Sequence, residues 1–303
     1  MENFAVIITF LLIGITIKKI PDFSVETGKI LNLFVIYISL PSLVLLKIPT
    51  LPFSSNIFVV GLMPWVMLLF SCTTIAILSF LFKWERQITG CLLLLIPLGN
   101  TSFLGVPMVK TFFGDHAVPY ALLYDQLGSF LALATYGSLI IAFYGTGENK
   151  PSLRSICKKV ISFPPFISLI AALTLKSISI SYPAPVVNIL TTLSSTLIPI
   201  VMIAVGFQLT LRLDKKLIVP ICIGISLKLI VSPLVALLLC RVVGVDGEAV
   251  QVSIFEAGMP PMVSAGALAI IANLSPALTA ALVGIGIILS FITLPILHKL
   301  ILI

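Results

Sequence analysis

Charge is what this chain has least of: 303 residues hold only 18 Lys and Arg and 11 Asp and Glu. Soluble domains carry about 25% charged and about 45–50% apolar residues. Here the charged share is 10%, the apolar share 59% and the mean hydropathy +1.22. No single water-soluble core could bury that much apolar surface, which excludes secreted, ordinary cytosolic and nucleic-acid-binding classes. Histidine is nearly absent as well. His116 and His298 lie far apart, too few for a zinc site or a His-based catalytic triad. The cysteines Cys72, Cys91, Cys157, Cys222 and Cys240 are odd in number and lack metal-ligand spacing. Four of them sit in apolar stretches, so they read as small packing residues without a disulfide. A signal-peptide n-region is missing too: Glu2 stands where its positive charge belongs, and Lys18 and Lys19 follow the apolar run.

Long apolar runs are what the sequence has in quantity. A membrane-spanning helix takes about 20 residues. Spans are expected at 3–18, 29–48, 56–82, 88–113, 117–143, 161–179, 187–209, 217–241, 249–272 and 276–299. Ten spans put both termini on one side. Twelve of the basic residues then fall in loops of the other side: Lys18, Lys19, Lys29, Lys83, Arg86, Lys150, Arg154, Lys158, Lys159, Arg212, Lys215 and Lys216. Lys47, Lys110, Lys176, Arg241 and Lys299 fall on the side of the termini, and Lys228 lies within span 8. The positive-inside rule makes the richer side cytoplasmic. The expected location is the cell inner (plasma) membrane, with both termini extracytoplasmic and the lipid bilayer as the chain's principal partner.

The longest connection, about Gly145 to Ser162, is also the most basic, and it divides the chain into five spans on each side. Because five is odd, two similar halves would enter the membrane in opposite orientations. Landmarks recur at a near-constant offset: Pro41 and Pro199 are 158 residues apart, Gly99-Asn100 and Gly258-Met259 are 159, and Pro119 and Pro276 are 157. The expected domains are a first inverted repeat at 1–148, a cytoplasmic linker at 149–160 and a second repeat at 161–303. Inverted repeats of this kind mark transporters whose sites lie at the midplane.

Two spans carry material that breaks helices. Span 4 reads Ile96-Pro97-Leu98-Gly99-Asn100-Thr101-Ser102-Phe103-Leu104-Gly105-Val106-Pro107, and span 9 has Glu256-Ala257-Gly258-Met259-Pro260-Pro261. Proline removes a backbone donor and clashes with the preceding turn, and glycine eases the unwound state. In hydrocarbon such breaks survive only when buried in protein or facing water. Half-helix N-termini meeting at a midplane favour an anion, and unwound carbonyls favour a cation.

At these residues a family resemblance emerges. Gly99-Asn100-Thr101, then Gly105-Val106-Pro107, Lys110 and Phe113-Gly114, resemble the fourth-span motif of the auxin efflux carrier family, which includes plant PIN-FORMED carriers and bacterial malonate carriers. Ala257-Gly258-Met259-Pro260-Pro261 through Leu294-Pro295, and the early Leu40-Pro41-Ser42, resemble the same family. The resemblance implies an all-α polytopic membrane protein of ten transmembrane helices, with broken helices 4 and 9 crossing in a transport domain beside a scaffold domain. It implies elevator-like or rocking alternating access for a small organic anion, a carboxylate or an auxin-like acid. The plant members' long mid-chain loop is short here, so control through that loop is not expected. Related bile-acid sodium symporters share the crossed architecture and place an acidic residue near the span 9 break.

Three ionisable residues fall inside spans. Asp125 reads equally well as a solvated group near the outer mouth or as a functional one, and Lys228 as a snorkelling or structurally paired lysine. Glu256 directly precedes a break and is the candidate for the coupling ion, sodium or a proton, with Asn100, Thr101 and Asp125 as further candidates. The expected substrate-site residues are Asn100 and Thr101 with Gly99, Pro107, Gly258, Pro260 and Pro261, the prolines holding the broken geometry. No cofactor or metal beyond a coupling sodium is expected, and no enzyme activity, because no nucleophile–base pair or paired-carboxylate motif is present. An anion channel or an uncoupled uniporter is the alternative, and a homodimer is expected by analogy with carriers that pair through a scaffold. Asn100→Ala is expected to abolish transport while folded protein remains in the membrane; unchanged flux through that variant rules out the site assignment.

Overall fold

The computed structural model describes residues 2–51, 57–146, 152–178, 180–210 and 214–303. Lys150 and Arg212, two of the loop cations counted above, lie outside the described residues. Among those described, the chain is nearly all helical and contains no strand, only one isolated bridge. In chain order the helices are α1 Glu2–Ile17, α2 Thr27–Thr50, α3 Ile57–Phe82, α4 Arg86–Leu95, α5 Val106–Phe112, α6 Asp115–Tyr144 and α7 Leu153–Ile161. They continue with α8 Pro164–Ser177, α9 Ala184–Gln208, α10 Ile218–Val243, α11 Glu248–Ala257, α12 Val263–Ile271 and α13 Pro276–Ile301.

Six of these, α2, α3, α6, α9, α10 and α13, are long and apolar enough to cross a membrane by themselves. Their ends agree within three residues with the corresponding sequence-derived spans. The other four expected spans take different forms. α1 has 16 residues, α7 and α8 meet at a bend of 63°, and the fourth and ninth are interrupted, as α4 and α5 and as α11 and α12. At 1.5 Å per residue, a half-helix of about ten residues covers about 15 Å, half of a bilayer core.

One feature escaped the sequence reading. Runs expected to be regular α-helix contain π-helical turns at Val35–Ser39, Asp125–Phe130, Leu133–Gly137 and Leu227–Val231, and a further one, Thr101–Gly105, leads into α5. A π turn inserts a residue without breaking the helix and rotates the side chains that follow; such turns gather at functional sites. Apolar periodicity cannot reveal them, because one extra residue in an all-apolar run leaves the pattern unchanged.

Contacts divide the chain into two compact units, each drawing on several stretches: residues 1–53, 102–122 and 158–209 form the first, and residues 54–101, 123–157 and 210–303 the second. In the first unit α1 packs along the second half of α9. A Cβ on Gly206 would stand 2.1 Å from the Leu11 carbonyl oxygen, and one on Gly14 would stand 2.2 Å from that of Ile203. Two backbones in this register tolerate nothing larger than glycine, a packing mode common between membrane helices. Within this unit, Lys47 near the end of α2 pairs with Asp115, and Lys110 of α5 reaches the same carboxylate at 3.2 Å.

In the second unit α4 is buried from Thr89 to its end, with Cys91, Leu92, Leu94 and Leu95 fully enclosed. It packs against α3, α12 and α13. This apolar sleeve fixes where the chain leaves α4 and so positions the break that follows. Gly206→Ala is expected to lower the stability of detergent-solubilised protein by about 1–3 kcal/mol through overpacking, read as a fall in the thermal unfolding midpoint; an unmoved midpoint contradicts the close α1–α9 contact.

Candidate functional site

The site begins with two helix ends. α4 stops at Leu95, and residues 96–100 run without helical structure into the π turn at Thr101. α11 stops at Ala257, and residues 258–262 are non-helical until α12 begins at Val263. Pro97 explains the first stop and Pro260-Pro261 the second, since each removes the amide that the next helical turn would need. The two breaks then satisfy one another. The Asn100 amide donates to the Pro260 carbonyl at 2.8 Å, the Met262 amide donates to the Leu98 carbonyl at 3.0 Å, and Gly99 faces Pro261 in an antiparallel bridge.

Around this bridge the second unit gathers polar side chains from several helices. Asp125 opens a π turn of α6 and is 1% exposed. Its Oδ1 accepts from Thr101 Oγ1 at 2.6 Å and its Oδ2 accepts from Gln126 Nε2 at 2.7 Å. The reading of Asp125 as a solvated residue at an outer mouth is therefore corrected: its carboxylate is enclosed and meets the first residue after the span 4 break.

Lys228 lies in the π turn of α10 and is 4% exposed. It is the eleventh residue of a 26-residue span, too deep for its side chain to reach either interface. Snorkelling is corrected on that ground; among the described residues Lys228 forms no contact ion pair and no side-chain hydrogen bond, and the nearby carboxylate it interacts with electrostatically is Glu256. Its Nζ lies against the span 4 break, 3.2 Å from where a Cβ on Gly99 would stand. Sequence reasoning left Lys228 out of the site. The available signal was its mid-span depth.

Glu256, in the last turn of α11, is fully buried, and neither carboxylate oxygen has a hydrogen-bond partner among the described residues. Its charge is felt by Asp125, Lys228 and Tyr124. The Asn100 side-chain nitrogen and the Gln126 side-chain oxygen are likewise buried without a partner. Gly99, Thr101, Ser129, Lys228 and Glu256 line a cavity of about 10 Å³, roughly the room one water molecule takes.

Of the other sequence-derived site residues, Gly258, Pro260 and Pro261 form the second break, and the last two frame the bridge. Gly258 leaves room for Leu297 and Pro233, which a Cβ would meet at 2.7 and 3.3 Å. Pro107 stands elsewhere: it opens α5 in the first unit and does not line the cavity. The arrangement thus offers one cation and one acid, Lys228 and Glu256, lining a small cavity, with the Asp125 carboxylate reaching the cavity-lining Thr101.

Comparison with known proteins finds relatives along nearly the whole chain. The model of a family described as membrane transport protein matches residues 1–298. An uncharacterized transporter of Methanocaldococcus jannaschii is 31% identical over 268 residues, covering 86% of this chain and 85% of the relative. Another uncharacterized transporter, from Methanothermobacter thermautotrophicus, is 26% identical over 299 residues, covering 97% and 96%. The chain belongs to the membrane transport protein family, the auxin efflux carrier or PIN-like group that its broken-span motifs resemble. It is a multi-pass membrane transporter, and its family consists of transporters rather than enzymes.

Thr101→Val removes a side-chain donor to the Asp125 carboxylate. A lost hydrogen bond to a buried charge costs about 1.5–3 kcal/mol, so the thermal midpoint should fall, while Thr101→Ser should retain most of the stability. Equal midpoints for Thr101→Val and the unaltered protein rule out that contact.

Proposed function

We propose that this transporter is a secondary carrier of a small organic anion, a carboxylate or an auxin-like acid, moved by elevator-like or rocking alternating access and linked to a proton or a sodium ion. The observation that carries the reading is Lys228: a buried ammonium that forms no contact ion pair with a described residue, set against the span 4 break and lining the same cavity as Glu256. A buried lysine left unpaired is costly, and an incoming carboxylate would offset that cost. Asn100, next in the chain to Gly99, has a buried side-chain nitrogen with no partner among the described residues, a neutral donor available to the same group.

Charge arithmetic supplies the linkage. With Asp125, Glu256 and Lys228 all ionised, the three groups sum to −1. Binding a monovalent anion alone takes the sum to −2 in a low-dielectric site, where like charges repel strongly. A proton or sodium ion on Glu256, whose oxygens accept no hydrogen bond from a described residue, restores the sum to −1. Anion and cation then favour one another's bound state, which is the thermodynamic content of coupled transport.

The wider architecture of this proposal is ten spans in two inverted repeats, at 1–148 and 161–303, with the cytoplasmic linker 149–160 between them and both termini outside. The antiparallel pairing of residues near 99 with residues near 261 supports it, and so does a division in which each unit takes segments from both halves of the chain. A cavity with room for about one water favours a carrier that opens alternately over an open channel.

The test is ligand-dependent thermal stability of purified protein against a panel of small carboxylates, each with and without sodium and at two pH values. A true substrate at about 100 times its Kd should stabilise the protein by about 2.7 kcal/mol. Lys228→Met should erase that stabilisation, and Glu256→Gln should erase its dependence on sodium or pH. Carboxylate stabilisation undiminished in Lys228→Met overturns the anion site; ion dependence undiminished in Glu256→Gln overturns the coupling role.

A further inference from the structure

α7, Leu153–Ile161, takes no part in the site, and its composition differs from that of every span. It reads Leu-Arg-Ser-Ile-Cys-Lys-Lys-Val-Ile, with three cations and no acid in nine residues. On a helix of 3.6 residues per turn, Arg154, Ser155, Lys158 and Lys159 share one face, and Ile156, Cys157, Val160 and Ile161 share the other. The separation is complete, with no cation on the apolar face. Ser152 Oγ accepts from the Ser155 amide at 3.1 Å and starts the helix.

Three further observations bear on what this helix meets. Arg154, Lys158 and Lys159 are exposed, and among the described residues they form no ion pair. The apolar face is only partly covered by protein: Ile161 is 69% exposed and Cys157 is exposed. The axis bends by 63° from that of α8, the apolar helix that follows. Three cations within nine residues keep α7 out of the hydrocarbon, while an uncovered apolar face would be poorly placed in open water.

We propose that α7 is a lipid-binding helix that lies in the membrane surface and recognises anionic phospholipid headgroups. Its Ile156, Val160 and Ile161 face enters the acyl boundary, and Arg154, Lys158 and Lys159 reach the phosphates. Such a surface suits helices whose apolar and basic faces are cleanly divided, and a cytoplasmic leaflet is anionic. The division between the two compact units falls inside this helix, between Cys157 and Lys158, so the lipid contact is made where the chain passes from one unit to the other. An acidic protein surface is the competing occupant for the cations, but it leaves the apolar face without a partner.

The test uses the full chain carrying Cys72→Ser and Cys222→Ser, in vesicles of phosphatidylcholine alone and of an equal mixture with phosphatidylglycerol. A nitroxide is placed on Cys157 for the apolar face or, with Ser155→Cys and Cys157→Ser, on the basic face. Accessibility is then compared between oxygen, which partitions into lipid, and a water-soluble nickel chelate. In the mixed vesicles the label at 157 should favour oxygen and the label at 155 the chelate. Combining Arg154→Gln, Lys158→Gln and Lys159→Gln should remove the difference between the two vesicle types, with each single change weakening the surface-bound population about fivefold. Equal chelate access on both faces in the mixed vesicles overturns the surface placement. A contrast that is the same with and without phosphatidylglycerol overturns the recognition of anionic lipid.

Discussion

An amide or carbonyl in hydrocarbon with no partner costs several kcal/mol, and that constraint organises this molecule. Two spans are broken by proline at their centres, and each break would be intolerable alone. They become tolerable together because Asn100 donates to Pro260 and Met262 to Leu98. Proline's missing amides are part of the solution: Pro260 and Pro261 bring no donors that would need partners, and the Pro260 carbonyl serves as an acceptor. The packing of α4 among α3, α12 and α13 follows from the need to hold those two strands of backbone in register.

Opening two helices at one depth also makes room for polar chemistry that a continuous helix bundle would exclude. Asp125, Lys228 and Glu256 differ in how they are met by their surroundings. Asp125 receives two side-chain donors, whereas Glu256 receives none from the described residues and Lys228 has no contact ion pair among them. A structural ion pair would have drawn the last two together. Their separation around a cavity of about 10 Å³ leaves each with unused capacity, which is what reversible binding of small charged species requires.

The π turns link the two themes. Thr101, Asp125 and Lys228 each lie at the start of one, so the perturbed helical turns and the buried polar side chains fall together. Lys228 in a regular α10 would be one more costly mid-span charge. In a π turn beside Gly99 its ammonium is lodged against the broken backbone of another span. Gly99 has a packing role here: a β-carbon would crowd the ammonium.

Much of this was legible in the sequence. Scarce charge and long apolar runs required a lipid-embedded helical protein, because no soluble core accommodates 59% apolar residues. Pro97, Pro260 and Pro261 located both helix breaks, since the chemistry of proline acts on its own neighbours. Glu256 could be singled out because it directly precedes one break. Tertiary structure alone decided that the breaks pair with each other, that Asp125 turns inward to Thr101, that Lys228 joins the cluster and that Pro107 does not. Those outcomes depend on contacts across 24 to 164 residues of chain and on single-residue π insertions. Composition and periodicity report what each segment prefers locally; they carry no record of which distant group will face it.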